Sequence, residues 1–186
     1  MSSVPAPEPI RLTCDDYRGL PDDGRRYELF EGELQATPSP TTRHQRVCGD
    51  LECLLHSHVR AHGLGEVLHA PIDVILDRTT IVQPDILFVA AARLAIIKER
   101  GIEGPPDLVV EILSESTADR DRGVKQQLYA RYGVAHYWIV DAAAQTLAEY
   151  QLEERAYRLR GTYGVGQPAR LALLPDLPID LNEIFH

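Results

Sequence analysis

A mixed α/β fold, with helices on both faces of a β-sheet, is predicted by three observations. Val47, Leu51, Leu54, Leu55 and Val59 recur at helical spacing and define one buried stripe. Asp107–Leu113 (DLVVEIL) and His136–Asp141 (HYWIVD) are nearly continuous apolar runs, as in strands covered on both faces. The order of elements is helix, three strands, helix, strand and further strands, not the strict alternation of a doubly wound nucleotide fold. The glycines of GTYGVG (Gly161, Gly164, Gly166) do not spell the dinucleotide fingerprint, and no helix follows them.

Each element has a local cause. Met1–Ile10 (MSSVPAPEPI) reads as a frayed, proline-rich lead-in, and residues 11–186 as one domain. Tyr27–Ala36 reads as a hairpin turning at Glu31-Gly32. Pro38–Thr41 stops it and leads into a helix over Thr42–His62, which Gly63 and Gly65 end. Glu66–Leu76 and Ile81–Ala90 read as two antiparallel strands, with the turn at Asp77–Thr80. Ala91–Gly101 is a short helix or loop, and Asp107–Leu113 a central strand. Ser116 and Thr117 cap a helix over Ala118–Tyr132, with Asp119 and Asp121 in its first turn and Gly133 as its stop. After the His136–Asp141 strand, Thr146–Leu152 and Arg158–Arg160 form a closing hairpin. The tail LLPDLPIDLNEIF packs on the body through its apolar residues.

Composition narrows the function classes. With 186 residues, 44% hydrophobic and 25% charged, the chain has the makeup of a soluble globular domain. No apolar run approaches a membrane span, and the N-terminal segment lacks a secretory pattern. Cys14, Cys48 and Cys53 form no CxxC, which reads as reduced thiols in a cytoplasm. The net charge of −9 argues against a protein whose main task is holding nucleic acid. It leaves room for an acidic metal site that meets nucleic acid transiently.

Three residues carry the chemistry: Asp85 in VQPDILFV, Glu111 in PDLVVEIL and Lys125 in DRDRGVKQQLY. Both acids sit inside apolar, strand-like runs, where an unpaired charge is costly. One divalent cation would offset that cost for both, with hard oxygen ligands suited to Mg²⁺ or Mn²⁺. Pro84 removes a ladder donor beside Asp85 and leaves room for a ligand. Plainer explanations exist for each residue: Asp85 capping a turn, Glu111 paired in the core, Lys125 in an i,i+4 pair with Asp121.

From Tyr27 to Leu152 the chain resembles the Uma-two family of restriction-endonuclease-like proteins, within the PD-(D/E)XK nuclease superfamily. The words that carry this are YELFEGEL, SPTTRHQ, APIDV, VQPDILFV, PDLVVEILSESTADRDRGVKQQLY and GVAHYWIVD. The resemblance implies a restriction-endonuclease-like mixed sheet flanked by helices, with additional N- and C-terminal hairpins. It also implies a Mg²⁺- or Mn²⁺-dependent endonuclease acting on DNA, and a homodimer. Pro84-Asp85 would be the Pro-Asp and Glu111 the second acid. Leu113 stands where the superfamily has its lysine, so Lys125 on the next helix would replace it. Asp85, Glu111 and the carbonyl of Ile112 would hold the metal. Glu31, ahead of Glu28 and Glu52, would be the upstream acid.

His44 begins the long helix, where a phosphate can sit, and with Arg122 it is the expected substrate contact. His58 and His62 lack the Glu of an HExxH motif and read as helix surface. Asp73 reads as structural, and Tyr137 and Trp138 as core. The competing function is a catalytically inactive nuclease fold kept as a binding or assembly module. Negative charge and the missing lysine at 113 favour it. A hydrolase of small phosphodiesters is a weaker third.

Overall fold

In a computed structural model that describes residues 10–114, 118–166 and 168–186, two six-stranded sheets lie against each other, with helices outside. In chain order the elements are α1 (Cys14–Arg18), β1 (Arg26–Phe30), β2 (Glu33–Thr37), α2 (Thr42–His62), β3 (Gly65–His69), β4 (Val74–Asp77), β5 (Thr80–Val82) and β6 (Ile86–Ala90). A 3₁₀ turn over Ala91–Ile96 leads to β7 (Ile97–Lys98), β8 (Gly101–Glu103) and β9 (Leu108–Leu113). Then come α3 (Ala118–Arg120), a π-turn (Asp121–Lys125), α4 (Gln126–Tyr132) and β10 (His136–Asp141). The chain closes with β11 (Thr146–Glu153), β12 (Ala156–Gly164), β13 (Ala169–Arg170), β14 (Pro178–Ile179) and α5 (Leu181–Ile184).

The hairpin β1–β2 turns on Glu31 (φ 50°) and Gly32 (φ 90°). Two consecutive residues at positive φ make the tight turn whose twist matches paired strands. Helix α2 starts at Thr41, whose side chain accepts from the His44 amide, and ends at left-handed Gly63. Its buried residues are His44, Val47, Leu51, Leu55 and Val59. The expected Ser116 and Thr117 cap lies outside the described residues, as does the lead-in up to residue 9.

The main sheet runs β12-β11-β10-β9-β6-β3, with β9 and β10 parallel and every other pair antiparallel. All six residues of β9 are buried. One face meets α2 and the C-terminal leucines and isoleucines, including Leu174, Leu181 and Ile184. The other meets Leu128 and Tyr129 of α4, together with Phe30, Val74 and Ile102 of the second sheet. No helix among the described residues is long and apolar enough to cross a membrane.

The expected strands Glu66–Leu76 and Ile81–Ala90 are each two strands. The long hairpin they form is broken across the two sheets: β3 pairs with β6 in the main sheet, and β4 with β5 in the second, ordered β2-β1-β5-β4-β8-β7. Both breaks fall at prolines, Pro71 and Pro84, which have no amide to donate. The Ala70 amide donates to the Asp85 carbonyl (3.0 Å) where the two arms cross. This seam brings β1, β6 and β9 together at their ends.

Two glycine substitutions should move stability in opposite directions. At Gly65 (φ 149°) a Cβ would lie 2.0 Å from the Val89 carbonyl oxygen. Gly65→Ala is expected to cost more than ~1 kcal/mol. Exposed Gly49, inside α2, has open space around it, and Gly49→Ala should add about 0.5–1 kcal/mol. Urea unfolding midpoints at unchanged slope would test both; a neutral Gly65→Ala would contradict this packing.

Candidate active site

Glu111 projects from β9 towards the face of the main sheet that α4 and the second sheet cover, among Val109, Leu113 and Tyr129. Lys125 Nζ lies 3.0 Å from Glu111 Oε1 and 3.0 Å from Glu28 Oε1, with Asp121 Oδ1 at 3.8 Å. All four side chains are buried. The Tyr129 hydroxyl donates to the same Glu111 oxygen at 2.7 Å. Asp121, Lys125 and Tyr129 follow at four-residue spacing and so share one face of the helical segment. Its π-turn is a rare feature that is frequent at functional sites.

Glu28 comes from β1 and is fully buried. Beyond Lys125 it accepts from the Gln83 amide (2.9 Å) and from Thr37 Oγ1 (3.4 Å). Arg120 approaches it at 3.6 Å and lies over the Phe30 ring. Asp85 stands just before β6. Its Oδ2 accepts from the Ile112 amide at 2.8 Å and contacts His44 Nε2 at 3.1 Å.

Asp85, Glu111, Ile112, Lys125 and His44 line one cavity of about 480 Å³. Arg26, Arg43 and Arg120 contribute cations to its wall. Burial pushes the Glu111 carboxyl well above the usual range; Lys125 opposes this, and Asp121, Asp85 and Glu28 add to it. Burial alone would lower Lys125, but the charges of Glu111, Glu28 and Asp121 outweigh it and raise the ammonium's pKa. The cluster therefore keeps its lysine charged and disfavours full ionisation of its acids.

Two expected site residues lie elsewhere. Glu31 sits in the β1–β2 turn, half exposed and paired with Arg131. The upstream acid facing Lys125 is Glu28: three residues earlier, it points inward from the strand instead of outward from the turn. Arg122 is half exposed and pairs with Asp141 at 2.7 Å; the arginine of this segment that lines the cavity is Arg120, two residues before it. Glu52 lies 4.0 Å from His69, away from the cavity. Asp73 accepts from Tyr17 and Gln83 and is structural. His58 and His62 stack on each other on α2. Tyr129 and Asp121 had no signal as site groups beyond their spacing from Lys125. Among the described residues, no group of three or more acid, histidine or cysteine side chains forms a ready metal cage.

The family model Uma2, described as "putative restriction endonuclease", matches residues 14–182. Among solved structures, the chain is similar to the crystal structure of a "putative nuclease belonging to DUF820" from Anabaena variabilis. The two share 19% identity over 94% of this chain and 97% of that one, with a TM-score of 0.74. At that identity the likeness is one of fold. No curated protein matches the chain.

Removing the lysine should expose the electrostatic cost. Lys125→Met leaves Glu28 and Glu111 buried without their ammonium and should cost about 3–5 kcal/mol. Lys125→Met combined with Glu28→Gln and Glu111→Gln should recover most of it. The pH dependence follows from Glu111, whose raised value means the folded state holds a proton that the unfolded chain releases in the ordinary carboxylate range. That contribution is full below the ordinary carboxylate range and is lost as pH climbs through the raised folded value. Metal-free protein should therefore lose stability over that window, and Glu111→Gln should flatten the slope. Denaturant midpoints across pH would show it; an unchanged slope in Glu111→Gln contradicts the assignment.

Proposed function

Because the chain belongs to the Uma2 family, we propose that it is a Mg²⁺- or Mn²⁺-dependent endonuclease that hydrolyses phosphodiester bonds in DNA. The observation that carries this is the convergence of Asp85, Glu111 and Lys125 on one cavity, with Lys125 3.0 Å from Glu111.

The donor set fits a hard divalent cation. Asp85 and Glu111 offer carboxylate oxygens to the same cavity, and Mg²⁺ binds through one or two carboxylates, keeping waters or substrate phosphate as its other ligands. The Asp85 carboxylate uses only Oδ2 for its hydrogen bonds to protein among the described residues. The carbonyl of Ile112 would be a third ligand. When bound, the cation would polarise the phosphate and lower the pKa of a water.

The chain's own residues would do the rest. Lys125 holds a fixed positive charge at the cavity floor, where it would stabilise negative charge gathering on a phosphate. Glu28 and Tyr129 keep that lysine and Glu111 in place. Arg43 and Arg120 would hold flanking phosphate charge. The binding-module reading draws on one observation: the Lys125 ammonium is almost fully enclosed by its own acids.

Cleavage assays separate the two. Supercoiled plasmid, single-stranded DNA and RNA are incubated with Mg²⁺, Mn²⁺ or EDTA. DNA should be nicked with either metal, EDTA should abolish cleavage, and Asp85→Asn and Lys125→Ala should each lower the rate by about 100-fold or more. Cleavage that persists in EDTA, or in both variants, refutes the mechanism. Absence of cleavage together with absence of calorimetric metal binding favours the binding module.

A further inference from the structure

His44 is placed to act on Asp85 and not on substrate. We infer that His44 is a positioning residue: its imidazole holds one oxygen of Asp85 so that the other is presented to a hard cation. This rests on the reading of Asp85 as a metal ligand.

The ladder between β6 and β9 runs out before β9 ends. Pairing of β6 with β9 starts at Ile86 opposite Val110, while β9 continues to Leu113. Past Ile86 the Asp85 carbonyl is turned to the Ala70 amide. The Ile112 amide finds its acceptor in the Asp85 side chain at 2.8 Å. The carboxylate thus completes the sheet's hydrogen bonding, and this fixes its Oδ2.

The imidazole approaches that same oxygen at 3.1 Å. The other ring nitrogen, Nδ1, is buried and has no partner among the described residues. A proton on Nδ1 would be a buried donor without an acceptor, whereas a proton on Nε2 meets a carboxylate. The ring therefore carries its proton on Nε2 and donates it to Asp85. With Oδ2 claimed by two donors, the carboxylate cannot rotate without breaking both. With Nε2 against Asp85 and Nδ1 buried, the place of His44 in the first turn of α2 serves geometry. The helix start is itself held, because the His44 amide donates to Thr41 Oγ1 (3.2 Å) and Val47 and Leu51 anchor the same face. Histidines and carboxylates oriented in this way around metal sites commonly change affinity when the supporting contact is lost.

Calorimetric titration with Mn²⁺ alone tests the inference on wild type, His44→Ala and His44→Gln, with circular dichroism confirming the fold. The glutamine amide can reach where Nε2 stands. His44→Ala should bind Mn²⁺ about tenfold more weakly or worse, and His44→Gln should stay within about threefold of wild type. Long-range ¹H–¹⁵N spectra of the metal-free wild type should show His44 protonated on Nε2, and these spectra decide the question if His44→Ala does not fold. Wild-type affinity in His44→Ala overturns the positioning role while leaving the nuclease reading intact, as does equal loss in both variants. A ring protonated on Nδ1 does the same. Wild-type protein that binds no Mn²⁺ overturns the nuclease reading and this one with it.

Discussion

A lysine that stays charged inside a protein needs compensating partners, and Lys125 is met by three carboxylates. Glu28 comes from the second sheet, Glu111 from the main sheet and Asp121 from the lysine's own helical segment. One ammonium therefore links three structural layers at the seam where the long hairpin changes sheets. Such buried pairs do little for net stability, since desolvating each charge costs several kcal/mol that attraction only roughly offsets. Separating them is another matter, because any packing that parts Lys125 from Glu28 and Glu111 strands a buried charge.

The same seam explains which parts of the fold are legible in the sequence. Helix α2, the β1–β2 hairpin, the central strand β9 and its parallel neighbour β10 follow from periodicity, Glu31-Gly32 and continuous apolar runs, because local chemistry decides them. The division into two sheets does not. Glu66–Leu76 reads as one strand because Pro71 interrupts it without changing its apolar character. Only the competition between two sheets for the two halves reveals the break. Pro84 carries the same message in the partner strand, where the missing ladder donor marks a crossing point between sheets.

The acids of the site share one signal in the sequence. Asp85 and Glu111 stand out as acids within apolar strands, and Glu28, between Tyr27 and Leu29, is the same anomaly. Glu31 belongs to the turn that reverses the hairpin, so it points to solvent for the same reason that Gly32 follows it. Arg120 and Arg122 are harder to separate. The π-turn that begins at Asp121 adds a residue to the winding and changes which side chains face inward; a regular helical wheel does not anticipate it. Tyr129 is legible only after Lys125 is placed, as its neighbour one turn on.

An acidic protein with a buried acidic cluster looks poorly suited to a polyanion, yet distance resolves the conflict. At physiological ionic strength, exposed charges are screened beyond about 8 Å, so the net −9 weighs little against groups that touch the ligand. A phosphate in the cavity would meet Arg26, Arg43 and Arg120, which line it. Inside, screening is weak and the balance is local: Glu28, Glu111, Asp121 and Asp85 stand against Lys125 and Arg120, and burial already presses Glu111 to keep a proton. A site in that state is short of positive charge. A divalent cation would supply it, release that proton and add attraction for phosphate at the one point where the surface's own acidity no longer reaches.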